Sequence, residues 1–258
     1  MSARIQSARS ASAQRPRRSF WRSLRSVLWF ALAVEALLAL RFSPAFAIRE
    51  VRVEGIHLTT PAQVIRVAGI GNGSNWVLLG RSQIAGRLER LPTVAEAVVS
   101  HGMPGRVLVR VFERQPVALL CTGDGAYWVD ERGVPFWQPE AKSVLPAIRV
   151  ETSLKVVMGR AINHDGVQSA LEILCRYLPK YPLPVAEITV DREGNLCLNM
   201  RGGLPHVRIG DGAELSQKMV RTAELWSHPQ IVRQAEYFDV SCVDKPVWKP
   251  RATAKGAM

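Results

Sequence analysis

Apolar and polar residues follow two periods along this chain, and the switches between them mark its elements. Residues 48–54 alternate, with Val51 and Val53 on one side and Glu50, Arg52 and Glu54 on the other, as in a half-buried strand. Gly55 closes it. Thr59-Thr60-Pro61 reads as a helix start, with Thr60 as N-cap and Pro61 in the first helical position. Val64, Val67 and Ala68 form that helix's stripe and Gly69 stops it. After the loop Gly71-Asn72-Gly73-Ser74-Asn75, a second helix is expected from Ser82 to Leu91, with Ile84, Leu88 and Leu91 on one face. Val94 to Ser100 and Val107 to Arg114 read as strands, with Val107, Val109 and Val111 on one side. Met103-Pro104-Gly105-Arg106 between them favours a type II turn. This gives a β-α-α-β-β order over residues 48–115.

The chain turns at Gln115-Pro116, a hinge between two units, and the pattern then becomes that of a larger sheet over residues 116–250. Strands are expected at 117–121, 126–129 and 134–136, separated by Gly123-Asp124-Gly125 and Asp130-Glu131-Arg132-Gly133. Pro135, Pro139 and Pro146 make the next segment irregular. Asn163 to Leu178 reads as a helix capped by Asn163 or Asp165, with Val167, Leu171, Leu174 and Leu178 inward. Ile188 and Val190 share a face, as do Leu196, Leu198 and Met200, across a hairpin turn at 192–195. His206 to Ile209 is a short strand. Ala213 to Trp226 is a second helix with Leu215, Met219, Thr222 and Trp226 inward, and Ala235 to Val240 is a last strand. The fold class is α+β: a βααββ domain, then a larger antiparallel or mixed sheet with two helices.

The first 46 residues differ. Residues 1–19 are rich in Arg, Ser and Ala without an acid, and read as a disordered cytoplasmic tail. Residues 20–46 centre on the apolar run Val27 to Leu40, about 20 residues when extended to Phe46, enough for a bilayer of ~30 Å. Trp21 and Trp29 suit an interface, and the seven Arg before Val27 orient that end to the cytoplasm. Residues 20–46 are therefore expected to be a single transmembrane signal-anchor, with everything from about residue 48 outside. Ala45-Phe46-Ala47 also fits a cleavage signature, which leaves processing open. Glu35 lies mid-span, where an ionised carboxylate is costly. It contacts a partner helix in the membrane, or is a tolerated neutral acid; both readings stand. Residues 251–258 read as a disordered tail.

The net charge of +12 is mostly a property of this N-terminus: residues 1–47 hold eight Arg and one Glu. Orientation in a membrane explains it without nucleic acid. Cys121, Cys175, Cys197 and Cys242 lie far apart with no metal-ligand spacing, and small buried hydrophobes are the simplest reading. His57, His101, His164, His206 and His228 are scattered, and the glycines at 69, 71 and 73 lack the third glycine of a dinucleotide loop. Asn72-Gly73-Ser74 marks a turn, Asp130 and Glu131 a turn, and Glu113 and Arg114 a strand-end charge pair. No catalytic residue, cofactor or metal ligand is expected, and no enzymatic activity.

The run VRVEG, a Thr/Pro-started helix, a Gly/Asn loop, LPTV, AEAVV, MPGR, VLVRVFERQPVA and WVDERGVPF resembles the bacterial FtsQ/DivIB cell-division family, whose small domain is the POTRA module. HVRIG followed by Lys218 is similar to that family's V-x-L-G…K segment, with Ile209 in place of Leu. Tyr237-Phe238-Asp239-Val240 fits its late strand, although Ser241 replaces a basic residue and the next strand looks shortened. The resemblance implies a non-enzymatic scaffold of the divisome in the inner membrane at the septum. It would link early division proteins to FtsB/DivIC-like and FtsL-like bitopic partners and to septal peptidoglycan synthesis. A free sheet edge within Tyr237 to Trp248 would take up a partner strand, through Tyr237, Asp239, Ser241, Val243, Val247 and Trp248. Trp248 is an aromatic anchor there or a cap on the core. A POTRA-bearing component of secretion or outer-membrane assembly is the alternative.

Overall fold

The computed structural model describes residues 17–42, 47–71, 74–75, 79–101, 105–139 and 144–251. Residues 1–16 of the basic tail, Ala45-Phe46 of the cleavage signature, Asn72-Gly73 of the turn, Met103-Pro104 of the hairpin and residues 252–258 lie outside them, and so does the side chain of Trp21. By contacts the chain divides into two units. One is Met1–Arg52, Ile70–Gly80 and His101–Val107; the other is Val53–Gly69, Arg81–Ser100 and Leu108–Met258.

In the first unit, α1 runs over Arg17–Phe42. Its side chains from Leu24 to Ala39 are all exposed. Among the described residues, no helix is long and apolar enough to cross a membrane. Arg25 and Glu35 interrupt the apolar surface of α1. Beyond the helix, the Ile48 N–H donates to the Ser74 carbonyl at 2.9 Å, and the Arg49 and Glu50 N–H groups donate to the Gly105 carbonyl at 2.8 and 3.1 Å.

The βααββ order is β1 (Glu50–Glu54), α2 (Pro61–Ala68), α3 (Arg81–Leu88), β2 (Val94–His101) and β3 (Arg106–Glu113), with the strands in the order β1-β3-β2. The N-cap of α2 is as expected: the Gln63 N–H donates to Thr60 Oγ1 and Pro61 opens the helix, with Val64 and Ala68 buried. The second helix ends at Leu88, three residues early, where the backbone tightens into three-residue turns: the Arg90 and Leu91 N–H groups donate to the Arg87 and Leu88 carbonyls. Val107, Val109, Val111 and Glu113 form the buried side of β3. Gly55, at φ 81°, could not be another residue, since a Cβ there would lie 2.2 Å from the Val111 carbonyl oxygen.

Glu113 and Arg114 do not pair with each other, which corrects the expectation. Successive strand residues point to opposite faces, and each finds its own partner. The Glu113 carboxylate accepts from the N–H groups of His57, Leu58 and Thr59 at 2.8–3.1 Å. Burial raises its pKa, but those donated bonds outweigh burial and hold it below the ordinary carboxyl range. Arg114 donates Nε to the Pro92 carbonyl at 3.0 Å and Nη1 to Asp130 Oδ2 at 2.6 Å. Both side chains of that pair are nearly buried, and Asp130 Oδ1 also accepts from the Arg132 and Val134 N–H groups.

The larger sheet contains β4 (Ala118–Thr122), β5 (Gly125–Val129), β6 (Pro135–Trp137), β7 (Ala147–Val150), β8 (Val185–Val190), β9 (Leu196–Met200), β10 (His206–Gly210), β11 (Ala235–Asp239) and β12 (Val247–Pro250). Its order is β12-β11-β10-β9-β8-β7-β4-β5-β6. The pairs β4–β7, β7–β8 and β10–β11 are parallel, so the sheet is mixed. Pro135, Pro139 and Pro146 predict an irregular segment here, and the structure corrects this with strand β7. Four residues are too few to show a period, yet Ile148 and Val150 are buried, Ile148 between Leu120 and Ile188 and Val150 opposite Val190.

Helix α4 (Asp165–Glu172) continues as a wider π turn over Ile173–Tyr177. Its N-cap is His164, without a side-chain bond, rather than Asn163 or Asp165. The π turn brings Ile173, Leu174 and Tyr177 inward together. Helix α5 (Leu215–Trp226) is followed by α6 (Pro229–Gln234), a third helix of this domain where two were expected; six residues give no readable stripe. Apolar residues of α4, α5 and α6 join the inward side chains of the strands in one core. The opposite face carries Arg149, Glu187, Thr189, Cys197, Asn199, Arg208 and Tyr237, all partly or fully exposed.

Candidate partner-binding edge

Alternation decides what β11 offers. Phe238 is buried at 1% exposure, with the Trp226 ring 6.1 Å away edge-on; Ala235, also buried, lies before an irregularity that shifts the register ahead of Tyr237. Tyr237 and Asp239 point the other way. Strand β12 pairs antiparallel on β11, with Tyr237 opposite Lys249, Phe238 opposite Trp248 and Asp239 opposite Val247. Trp248 therefore stands on the core side, at the open margin beyond Phe238, and is 38% exposed; Val247 is 56% exposed. All four residues of β12 are exposed. Among the described residues, no backbone group pairs with its outer side.

The six residues named from the sequence fall in three places. Val247 and Trp248 lie on the outermost strand. Tyr237 and Asp239 lie one strand in, between β10 and β12, so they reach a partner only through side chains. Ser241 and Val243 lie in the connecting loop. The Asp239 carboxylate accepts from the Ser241 N–H at 3.0 Å and its hydroxyl at 2.6 Å, which starts that loop as a tight turn. The sequence reading missed what surrounds Tyr237: the His206 ring stacks at 5.4 Å, Arg208 lies 4.2 Å over the tyrosine ring, and Lys249 approaches at 5.8 Å. The outward position of Arg208 in the alternating HVRIG was the signal available. Burial and the Arg208 charge together lower the His206 pKa. Glu236 and Lys249 pair at 3.0 Å across the two strands. Glu35 lies elsewhere, exposed on α1.

Residues 46–114 match the family model of the POTRA domain, FtsQ-type. The cell division protein FtsQ of Mycolicibacterium smegmatis is 25% identical over 232 residues, covering 88% of this chain and 66% of that protein. Its counterpart in Anaeromyxobacter sp. (strain K) is 30% identical over 184 residues, covering 69% and 62%. That of Mycobacterium leprae is 26% identical over 234 residues, covering 88% and 63%. The chain belongs to the FtsQ/DivIB family. It spans slightly less than two thirds of the length of these three relatives. Eight residues after Gly210, Lys218 is 2% exposed, and its ammonium donates to the Asp211 carbonyl at 3.0 Å and carboxylate at 2.7 Å. That bond, first, and the lysine's charge hold the Asp211 carboxyl below its usual range.

Proposed function

We propose that this chain is a non-enzymatic scaffold of the bacterial divisome, anchored in the cytoplasmic membrane and working outside it at the septum. In this reading β12 takes up a strand from an FtsB/DivIC-like bitopic partner, joined by an FtsL-like one, and so connects early division proteins to septal peptidoglycan synthesis. The observation that carries it is the exposed outer edge of β12 with Trp248 beside it. A row of unpaired N–H and C=O groups is a template for another strand, and a half-exposed aromatic at a core margin supplies the apolar anchor. Tyr237, Asp239, Ser241 and Val243 would then present side chains flanking the added strand.

The anchor in this proposal is α1, although its described residues by themselves fall short of an apolar span. At 26 residues the helix is about 39 Å long. Leu28, Trp29 and Phe30 are 67–72% exposed, which water disfavours and lipid does not. The arginines before Val27 place its N-terminus in the cytoplasm. Glu35, unusual in such a helix, marks where a partner helix would meet it. A periplasmically active reporter fused after residue 258 is expected to be active; activity of a cytoplasmic reporter there instead would end the anchored reading. Depletion of the protein is expected to give filamentous, undivided cells, and normal septation would sink the divisome role. In those cells a Trp248→Ala chain is expected to reach the membrane yet recruit less FtsB/DivIC-like partner.

A further inference from the structure

Ser241 begins the loop that leads to β12, and Gly210 stands directly against it. Gly210 ends β10 at φ 72°, and a Cβ there would lie 2.9 Å from the Ser241 Cβ and 3.4 Å from its Cα. The β10–β11 pairing runs on to this point, since the Val240 N–H donates to the Arg208 carbonyl at 2.9 Å. From the other side, Asp239 holds Ser241 through two hydrogen bonds. The residue after Gly210 is Asp211, which Lys218 grips at both carbonyl and carboxylate. Lys218 reaches it from inside α5, where Leu215, Met219 and Thr222 are its buried neighbours.

We propose that Gly210, Asp211 and Lys218 form a strut that sets the position of the 240–246 loop and hence of β12. This rests on the reading of β12 as the partner-binding edge. The lysine stem passes through the apolar core and its charge emerges only at Asp211, whose side chain is 71% exposed. A buried ammonium that ends on one loop fixes that loop against the helix, because moving the loop would strand the charge. Glycine at 210 lets the fixed loop touch the start of the next one without an intervening side chain. The glycine and the lysine thus act as one positioning device: the lysine holds the end of β10, and the bare backbone passes that position to Ser241. None of these residues touches the partner; they act through the edge strand.

The test uses the full chain in detergent, with hydrogen exchange and capture of the co-expressed FtsB/DivIC-like partner as two readouts. Gly210→Ala is expected to speed exchange over residues 239–249 and weaken capture, each about tenfold, from the cost of a side chain in a left-handed position plus the clash. Exchange over residues 118–190 should not change. Adding Ser241→Gly removes the nearer contact and should restore part of both. Lys218→Met keeps the stem, leaves the exposed Asp211 in water, and should loosen the same segment alone. Unchanged exchange over 239–249, or faster exchange throughout the sheet, would overturn the strut. A wild-type chain that captures no partner, while Gly210→Ala still loosens only residues 239–249, would sink the edge's function and leave the strut standing.

Discussion

The large sheet has two edges, and they are finished differently. Strand β6 is three residues long, begins with Pro135, and has its flank covered. The Gly159 N–H donates to the Pro135 carbonyl at 2.8 Å and the Ile162 N–H to the Gly133 carbonyl at 3.0 Å. Phe136 is 1% exposed, and Asp130 fixes the preceding turn while holding Arg114. Strand β12 is exposed at every residue and bears an aromatic at its margin. Proline, short length and a covering segment are the usual devices against unwanted strand pairing. Strand β12 is short as well and ends in Pro250, so the difference lies in the covering segment: β6 has one, and among the described residues β12 has none.

The largest expected effect falls on the closed side. Asp130→Ala removes the acceptor of two backbone N–H groups and leaves a nearly buried guanidinium without its carboxylate. It should cost about 3 kcal/mol in urea unfolding; a loss below about 1 kcal/mol would mean that the turn before β6 is held by something else. Next comes Trp248→Ala on the open side. It should weaken partner capture about thirtyfold, the size of a hot-spot residue, with little change in unfolding. A large stability loss with unchanged capture would make Trp248 a cap on the core.

Glu113 gives a pH signature unrelated to either edge and so serves as a control. Its folded pKa is depressed from the ordinary 4.5. Its contribution to stability is therefore full above that value and lost as pH falls through the lower, folded one. The stability difference between wild type and Glu113→Gln should be constant from pH 6 to 8 and shrink below about pH 4.5; a difference that grows on acidification contradicts the three-amide capping. Smallest is Glu236→Gln, which breaks an exposed cross-strand pair with Lys249. It should change stability by about 0.5 kcal/mol or less, and a larger loss would mean that β12 is held mainly by charge.

Local signals and tertiary ones were not equally legible in the sequence. Thr60-Pro61, the alternation in β3 and the paired faces of β8 and β9 depend on capping and period, both written in neighbouring residues, and the structure matches them. Strand β7 and helix α6 are too short for a period, and only their neighbours across the sheet and core define them. The pairing of Arg114 with Asp130, sixteen positions away, is a tertiary choice that adjacency to Glu113 concealed. At the edge, the sequence proposes Val247 and Trp248 among six residues, and the fold shows only that these two lie on the outermost strand. The ring stack of His206 and Tyr237 was hidden because it depends on the parallel register of β10 with β11.

The most direct test of the central claim is amide hydrogen exchange of the full chain with and without the extracytoplasmic segment of the FtsB/DivIC-like partner. Strand uptake should protect the amides within residues 247–249 that point away from β11 and leave those of residues 136–137 unchanged. Protection at β6 with none at β12, or no protection at either edge despite binding, would contradict it.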